Sequence, residues 1–143
     1  MRGLRSILFG GAGGGSATAD LGLLVLRLFA GLALAFGHGL GKLPPSARFL
    51  AGVEEMGFPA PLLFGWAAAL SEFAGGILIA VGLLTRPAAF FVCVTMAVAA
   101  FIRQAGDPFN ERELALLFGA CAVALLLTGA GRFSADALLR RRR

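Results

Sequence analysis

The sequence predicts an all-α fold: an integral membrane four-helix bundle with both termini in the cytoplasm. The first observation is composition, because 58% of the 143 residues are hydrophobic and 15% are charged, against roughly 45–50% and about 25% in soluble domains. The second is four long apolar runs, and the third is an uneven distribution of lysine and arginine between them. A soluble enzyme of this length has too little interior for so much apolar surface. Disordered chains and disulfide scaffolds are excluded by the same composition.

The first two apolar runs are long enough to cross a bilayer. One covers about 21–40 and is interrupted only by Arg27 and His38; the other covers about 61–84, with Glu72 near its middle. A helix needs about 20 residues to span the hydrocarbon core. Both runs therefore predict transmembrane helices that carry ionisable side chains.

The third and fourth runs are shorter. The third covers about 87–102 and begins at Pro87, a residue that suits the first turn of a helix. The fourth covers about 114–130, and Asn110 with Glu113 three residues later predicts a capping box at its start. We therefore predict four transmembrane helices.

Charge sets the expected orientation, because lysine and arginine accumulate on the cytoplasmic side of membrane proteins. Four spans place the basic residues of both tails and of the loop after the second helix on one side, and those of the two other loops opposite. The counts are eight (Arg2, Arg5, Arg86, Arg132 and Arg140 to Arg143) against four (Lys42, Arg48, Arg103 and Arg112). Both termini should thus be cytoplasmic.

The ends and the longest loop complete the domain plan. Residues 1–19 are expected to form a flexible cytoplasmic tail rather than a cleaved signal peptide, and 139–143 a polybasic cytoplasmic tail beside the bilayer. The loop at about 41–60 should face outward, as either a lid or a spacer. No basic stripe with interleaved aromatic residues is present, so nucleic acid is not an expected partner.

The ionisable residues within the spans are the candidate site, because each costs about 2.5–3.5 kcal/mol at mid-membrane depth and normally pairs or faces a cavity. Arg27 shares a small-residue face of the first helix with Gly31, and Glu72 shares one of the second with Gly76. We expect these faces to pack as a seam in which Arg27 reaches Glu72. The candidate polar pocket consists of Arg27, His38, Glu72 and Glu113, flanked by Lys42, Arg103 and Asn110.

Several interpretations of these residues stay open. The pocket would bind the head of a quinone or move a proton, since histidine and carboxylate groups suit both tasks. Alternatively, an Arg27–Glu72 pair only fixes helix register, and Lys42 and Arg103 only extend to the interface. The sequence predicts neither a metal site nor a covalently bound cofactor, and it has no CxxC motif.

Three blocks of sequence resemble the DoxX family of small membrane proteins. Together, in order and spacing, they cover about 20–138. They read LLVLR with FGHGLGKL (23–27 and 36–43), EFAGG with GLLTRPAA (72–76 and 82–89), and NERELALL with LTGAGRFS (110–117 and 127–134).

The resemblance implies a four-helix inner-membrane domain over 20–138 and a link to redox chemistry. Some family members resemble small subunits of thiosulfate:quinone oxidoreductases, and others resemble anchors for soluble oxidoreductases. The role that this implies is a non-catalytic membrane subunit or anchor with a quinone-head pocket and an oxidoreductase partner. The chain departs from dithiol-bearing relatives, because Cys93 and Cys121 are isolated. A small proton-coupled carrier and a structural protein with a packing ion pair are the alternatives, and the small-residue faces would allow a homodimer. The matching polar positions are Arg27, His38, Lys42, Glu72, Asn110 and Glu113.

Overall fold

The computed structural model describes residues 16–141, and within that range every regular element is helical. The predicted all-α class is confirmed for this part of the chain. Of the predicted tail over 1–19, residues 1–15 lie outside the described part of the chain. The first helix begins at Ala17, within the last residues of that predicted tail. The helices are α1 (Ala17–Leu34), α2 (Ala47–Glu55), α3 (Pro61–Val81), α4 (Thr85–Val98), α5 (Phe109–Thr128) and α6 (Ala135–Arg141).

Two of the helices end in wider π-helical turns. α1 continues through a π turn at Ala35–Gly39 and a 3-10 turn at Leu40–Lys42, and α4 continues through a π turn at Ala99–Arg103. Single π turns within helices are rare, and they occur frequently at functional sites. Both turns lie near the same end of the bundle, which also carries α2.

Three helical segments are long and apolar enough to cross a membrane: Ala17–Lys42, Pro61–Val81 and Thr85–Arg103, with 26, 21 and 19 residues. α5 has 20 residues, but its first five include Glu111, Arg112 and Glu113. The fourth span therefore stays a prediction, as does the orientation of the termini.

The start of α5 corrects the predicted capping box. The helix begins at Phe109, and Pro108 occupies the N-cap position with no side-chain bond to the first turn. Proline fixes an entry conformation for the helix without supplying a side-chain acceptor. Asn110 consequently lies inside the first turn, and its pairing with Glu113 as a capping box is wrong.

The bundle packs α1 against α3, α3 against α4 and α4 against α5, while α5 also touches α1. Its core joins the buried sides of all four helices (Leu34, Ile79, Ala88, Ala89, Val92, Met96, Ala122 and Leu125). Large apolar side chains point outward as well: Phe29 is 77% exposed and Leu127 is 71% exposed. An outer surface this apolar suits lipid and not water.

Candidate functional site

Glycine contacts between α1 and α3 fix the register on which the site depends. A Cβ atom on Gly31 would lie 2.5 Å from the Gly76 carbonyl oxygen, and one on Gly39 would lie 2.6 Å from Phe73 Cα and 2.8 Å from the Glu72 carbonyl carbon. Only glycine permits so close an approach of two backbones. The predicted seam through Gly31 and Gly76 is confirmed. Since these faces pack against each other, they are not available to a second copy of the chain.

The turns that follow α1 bring Lys42 back to the middle of α3. Its ammonium donates to both carboxylate oxygens of Glu72, at 2.5 and 2.7 Å. The Glu72 side chain is 2% exposed, whereas that of Lys42 is 33% exposed. A short, two-oxygen ion pair therefore lies ten or so residues from either end of α3.

This ion pair borders a cavity of about 560 Å³ between α2, the first half of α3 and the second half of α4. Ser71 and Thr95 also line the cavity, and the Thr95 hydroxyl lies 3.0 Å from the Ser71 hydroxyl oxygen. Arg48 from α2 contributes a cation. The remaining walls are mainly apolar (Phe49, Val53, Phe64, Phe91, Val94 and Val98).

The cavity is of a kind that binds small amphipathic molecules. Its volume lies within the roughly 300–1,000 Å³ of typical ligand sites, and it combines apolar walls with a few converging polar groups. Lys42 and the Ser71 hydroxyl supply hydrogen-bond donors, and the Glu72 carboxylate supplies acceptors. The two π turns flank it, since Ala99 and Arg103 line the wall and Lys42 follows the first turn.

The structure separates the four residues of the predicted pocket. Only Glu72 lines the cavity. His38 is exposed, and its ring meets Phe118 of α5 edge to face at 5.6 Å between centroids. Glu113 is exposed near the start of α5. Of the predicted flanks, Lys42 and Arg103 line the cavity, whereas Asn110 is exposed on α5.

Arg27 lies at the other end of the bundle, and the predicted Arg27–Glu72 pair is wrong. Its buried guanidinium donates to the Phe133 carbonyl oxygen at 2.6 Å and to those of Ile79 and Ala80 at 3.4 Å each. The partner of Glu72 is Lys42 instead. Arg27 thus joins α1 to the end of α3 and to the turn before α6.

Two carboxylates complete this second polar cluster. Asp136 of α6 accepts hydrogen bonds from the backbone amides of Leu84 and Thr85, at 2.8 and 3.1 Å. Asp20 of α1 accepts one from the amide of Arg132 at 3.0 Å. The bonds of these groups go to backbone atoms, so the cluster holds the C-terminal segment in place.

Sequence reasoning missed α2, α6 and the hydroxyls of the cavity. Ser46 caps α2 by accepting from the Phe49 amide, and Ser134 caps α6 by accepting from the Ala137 amide. Serine is a preferred N-cap residue, so both positions could have been recognised from the sequence as helix starts. Ser71 and Thr95 were visible as hydroxyls inside apolar runs, but nothing in the sequence indicated that they meet.

Comparisons with known proteins agree on one family. The DoxX family model matches residues 22–105, a range that includes the cavity residues Lys42, Glu72, Thr95 and Arg103. The "Inner membrane protein YqjF" of Escherichia coli (strain K12) is 32% identical over 132 residues, which cover 86% of this chain and 95% of that protein. No solved structure gives a significant match.

Proposed function

The chain belongs to the DoxX family of membrane proteins, and from that premise we propose that it is an inner-membrane subunit or anchor of an oxidoreductase system that binds a quinone head group. The buried Lys42–Glu72 ion pair, facing an apolar-walled cavity, is the observation that carries the proposal. The inner-membrane assignment rests on the name of the Escherichia coli relative and on the apolar helices. The quinone and the partner rest on the chemistry of the cavity.

The ion pair fits a role in binding better than one in stability alone. Burying two charges is expensive, and an apolar pair of similar volume is often at least as stabilising. Lys42 has three N–H donors and directs its ammonium at two oxygens of Glu72. A further donor therefore remains for a ligand carbonyl, while the carboxylate can accept a hydrogen bond from a ligand hydroxyl.

The apolar walls suit the rest of such a molecule. Phe91 and Val94 line the cavity and are 61% and 47% exposed on the lipid-facing side of α4. The cavity thus borders the surface that lipid would cover. An apolar tail would leave through this side while its head stays beside Lys42 and Glu72.

Within this proposal, electrons come from a soluble or membrane oxidoreductase partner, and both termini face the cytoplasm. The charge distribution supports that orientation. The residues of this chain would bind and orient the head group and exchange protons with it at the Glu72 carboxylate. The protein is then a non-catalytic subunit, in agreement with what the family resemblance implies.

The test is mass spectrometry of lipids extracted from gently purified protein, comparing wild type with Glu72→Gln. Glu113→Gln is the matched control, because Glu113 is exposed and away from the cavity. We expect one quinone per chain in wild type and in the control, and loss of it from a Glu72→Gln variant that still folds. Wild type without quinone, or a folded Glu72→Gln variant that retains it, refutes the proposal.

A proton-coupled carrier is the second candidate, because Glu72 is almost fully buried beside a cavity. A carrier needs access from both sides of the membrane, and the opposite end of the bundle is filled by Arg27 and the backbone that it binds. The geometry therefore favours binding over transport. Substrate flux in liposomes that disappears with Glu72→Gln would reverse this preference.

A further inference from the structure

The two ends of the bundle differ sharply in exposed charge. We call the end with α2 the loop end and the end with α6 the tail end. Of the eight acidic residues, five are exposed, and all five lie at the loop end, in the last turn of α2, in the connection before α5 or near the start of α5 (Glu54, Glu55, Asp107, Glu111 and Glu113). At the tail end the acids are Asp20 and Asp136, which are 6% and 3% exposed and bond to backbone amides. The tail end therefore shows cations to its surroundings without exposed carboxylates to balance them.

Helix α6 lies at the level where the membrane spans end. Its Asp136 carboxylate accepts hydrogen bonds from the amides of Leu84, the N-cap residue of α4, and of Thr85, the first residue of the α4 span. The Asp136 amide donates to the Gly82 carbonyl oxygen at 2.9 Å. These bonds fix α6 across the turn between α3 and α4. That position corresponds to the headgroup region of a bilayer surrounding the bundle.

The outward side of α6 combines apolar and basic side chains. Leu138 and Leu139 are 61% and 50% exposed, and Arg140 and Arg141, which follow them, are exposed too. Just before the helix, the Arg132 guanidinium lies 5.4 Å from the centre of the Phe133 ring, and Phe133 is 44% exposed. The sequence adds two more arginines after Arg141.

We propose that this surface, formed by Arg132, Phe133, Leu138, Leu139, Arg140 and Arg141, binds the anionic headgroups of phospholipids. Arginine pairs with phosphate through its fork of N–H donors. Leucine and phenylalanine beside it fill the acyl boundary, as in interfacial amphipathic helices. A soluble acidic partner would leave these apolar side chains at the bilayer surface unexplained. The proposal does not depend on the cavity.

The experiment uses the full chain in a neutral detergent and measures thermal unfolding as dioleoyl-phosphatidylglycerol is added. Dioleoyl-phosphatidylcholine and inorganic phosphate are the comparison probes. A ligand that binds only the folded protein raises the unfolding temperature, and the rise grows with the logarithm of the ligand concentration relative to its Kd. We expect phosphatidylglycerol alone to raise it, and added salt to reduce the effect.

The variants locate the site. Arg140→Gln with Arg141→Gln should need about 30-fold more phosphatidylglycerol for the same shift, from the attraction of each arginine to an anionic surface. Arg140→Lys with Arg141→Lys keeps the charge and should keep most of the shift. Arg112→Gln, at the loop end, should change nothing.

Three outcomes would overturn the proposal. The first is an equal shift with phosphatidylcholine, which indicates general solvation by lipid. The second is a shift with inorganic phosphate alone, which indicates a free-anion site. The third is an unchanged response of Arg140→Gln with Arg141→Gln, provided that this variant unfolds at the wild-type temperature without lipid.

Discussion

Replacing Arg27 with methionine tests whether this residue belongs to the structural cluster of the tail end. Arg27 is fully buried, and its strongest bond is the one that it donates to the Phe133 carbonyl oxygen at 2.6 Å. Methionine has a similar reach but no donor. The change therefore removes the tie between α1 and the segment that leads into α6, while leaving the cavity residues in place.

The expected loss of unfolding free energy is about 2–4 kcal/mol. One good hydrogen bond from a charged donor contributes roughly 1.5–3 kcal/mol, and the two bonds of 3.4 Å to Ile79 and Ala80 add little at that length. An unpaired Phe133 carbonyl costs about 1–3 kcal/mol more. Relief from burying a charge offsets part of this sum. For a chain of this size the unfolding temperature should fall by very roughly 6–16 °C.

Thermal unfolding in detergent measures the loss, and limited trypsin digestion shows where it acts. With its tie removed, the chain should be cleaved faster after Arg132, because backbone that leaves the bundle becomes accessible. Arg48→Met removes an exposed arginine and should stay within about 0.5 kcal/mol of wild type. Unchanged stability and unchanged cleavage in Arg27→Met would refute the structural assignment. Loss of quinone from a stable Arg27→Met protein would return Arg27 to the binding site.

Three further substitutions probe the seam, the α6 anchor and the ion pair. Gly31→Ala places a methyl group 2.5 Å from a backbone oxygen and should lower the stability measured by thermal unfolding by about 1–3 kcal/mol. Gly22→Ala, whose methyl group meets open space, should be neutral or stabilise by up to about 1 kcal/mol. Equal effects of the two substitutions would contradict the close packing at Gly31. Asp136→Ala leaves the Leu84 and Thr85 amides without their acceptor, so it should lower the free energy of unfolding by about 2–4 kcal/mol and speed hydrogen exchange at those two amides. Amides that stay protected in this variant would show that Asp136 does not hold them. Lys42→Gln should destabilise the protein more than Glu72→Gln, because it leaves the almost fully buried Glu72 carboxylate without its cation. The double variant should recover most of the stability that Lys42→Gln loses. Additive losses would show that the pair is not coupled.

Most of the fold was predictable because it depends on long-range composition and periodicity. The apolar runs located α1, α3, α4 and α5 to within a few residues. The short helices α2 and α6 escaped because neither has an apolar run of its own. Each is set by a serine cap and by contacts made only in the folded bundle, such as the Leu50 side chain that packs on Gly65 of α3.

The sequence predicted a buried polar site with Glu72 in it, but it did not predict the partner of Glu72. The reason is an offset between α1 and α3 along their axes. The predicted seam, in which Arg27 reaches Glu72, requires the two residues to lie at similar depths in the bundle. In the bundle Glu72 lies level with Gly39. Arg27 is twelve residues before Gly39, or about 18 Å along the helix axis. No side chain bridges that distance, and the backbone contact that sets the offset cannot be read from periodicity.

The offset gives the two buried charges separate tasks. Two of the three guanidinium nitrogens of Arg27 donate to main-chain oxygens of α3 and of the C-terminal segment, so its bonds hold the tail end of the bundle together. Glu72 has a single, partly exposed cation as its partner and a cavity beside it. A ligand able to bond with the ammonium or the carboxylate could replace part of that pairing without breaking the bundle. Stability should therefore follow Arg27 and ligand binding should follow Glu72, and a variant at either position that alters both equally would show that the two ends are coupled.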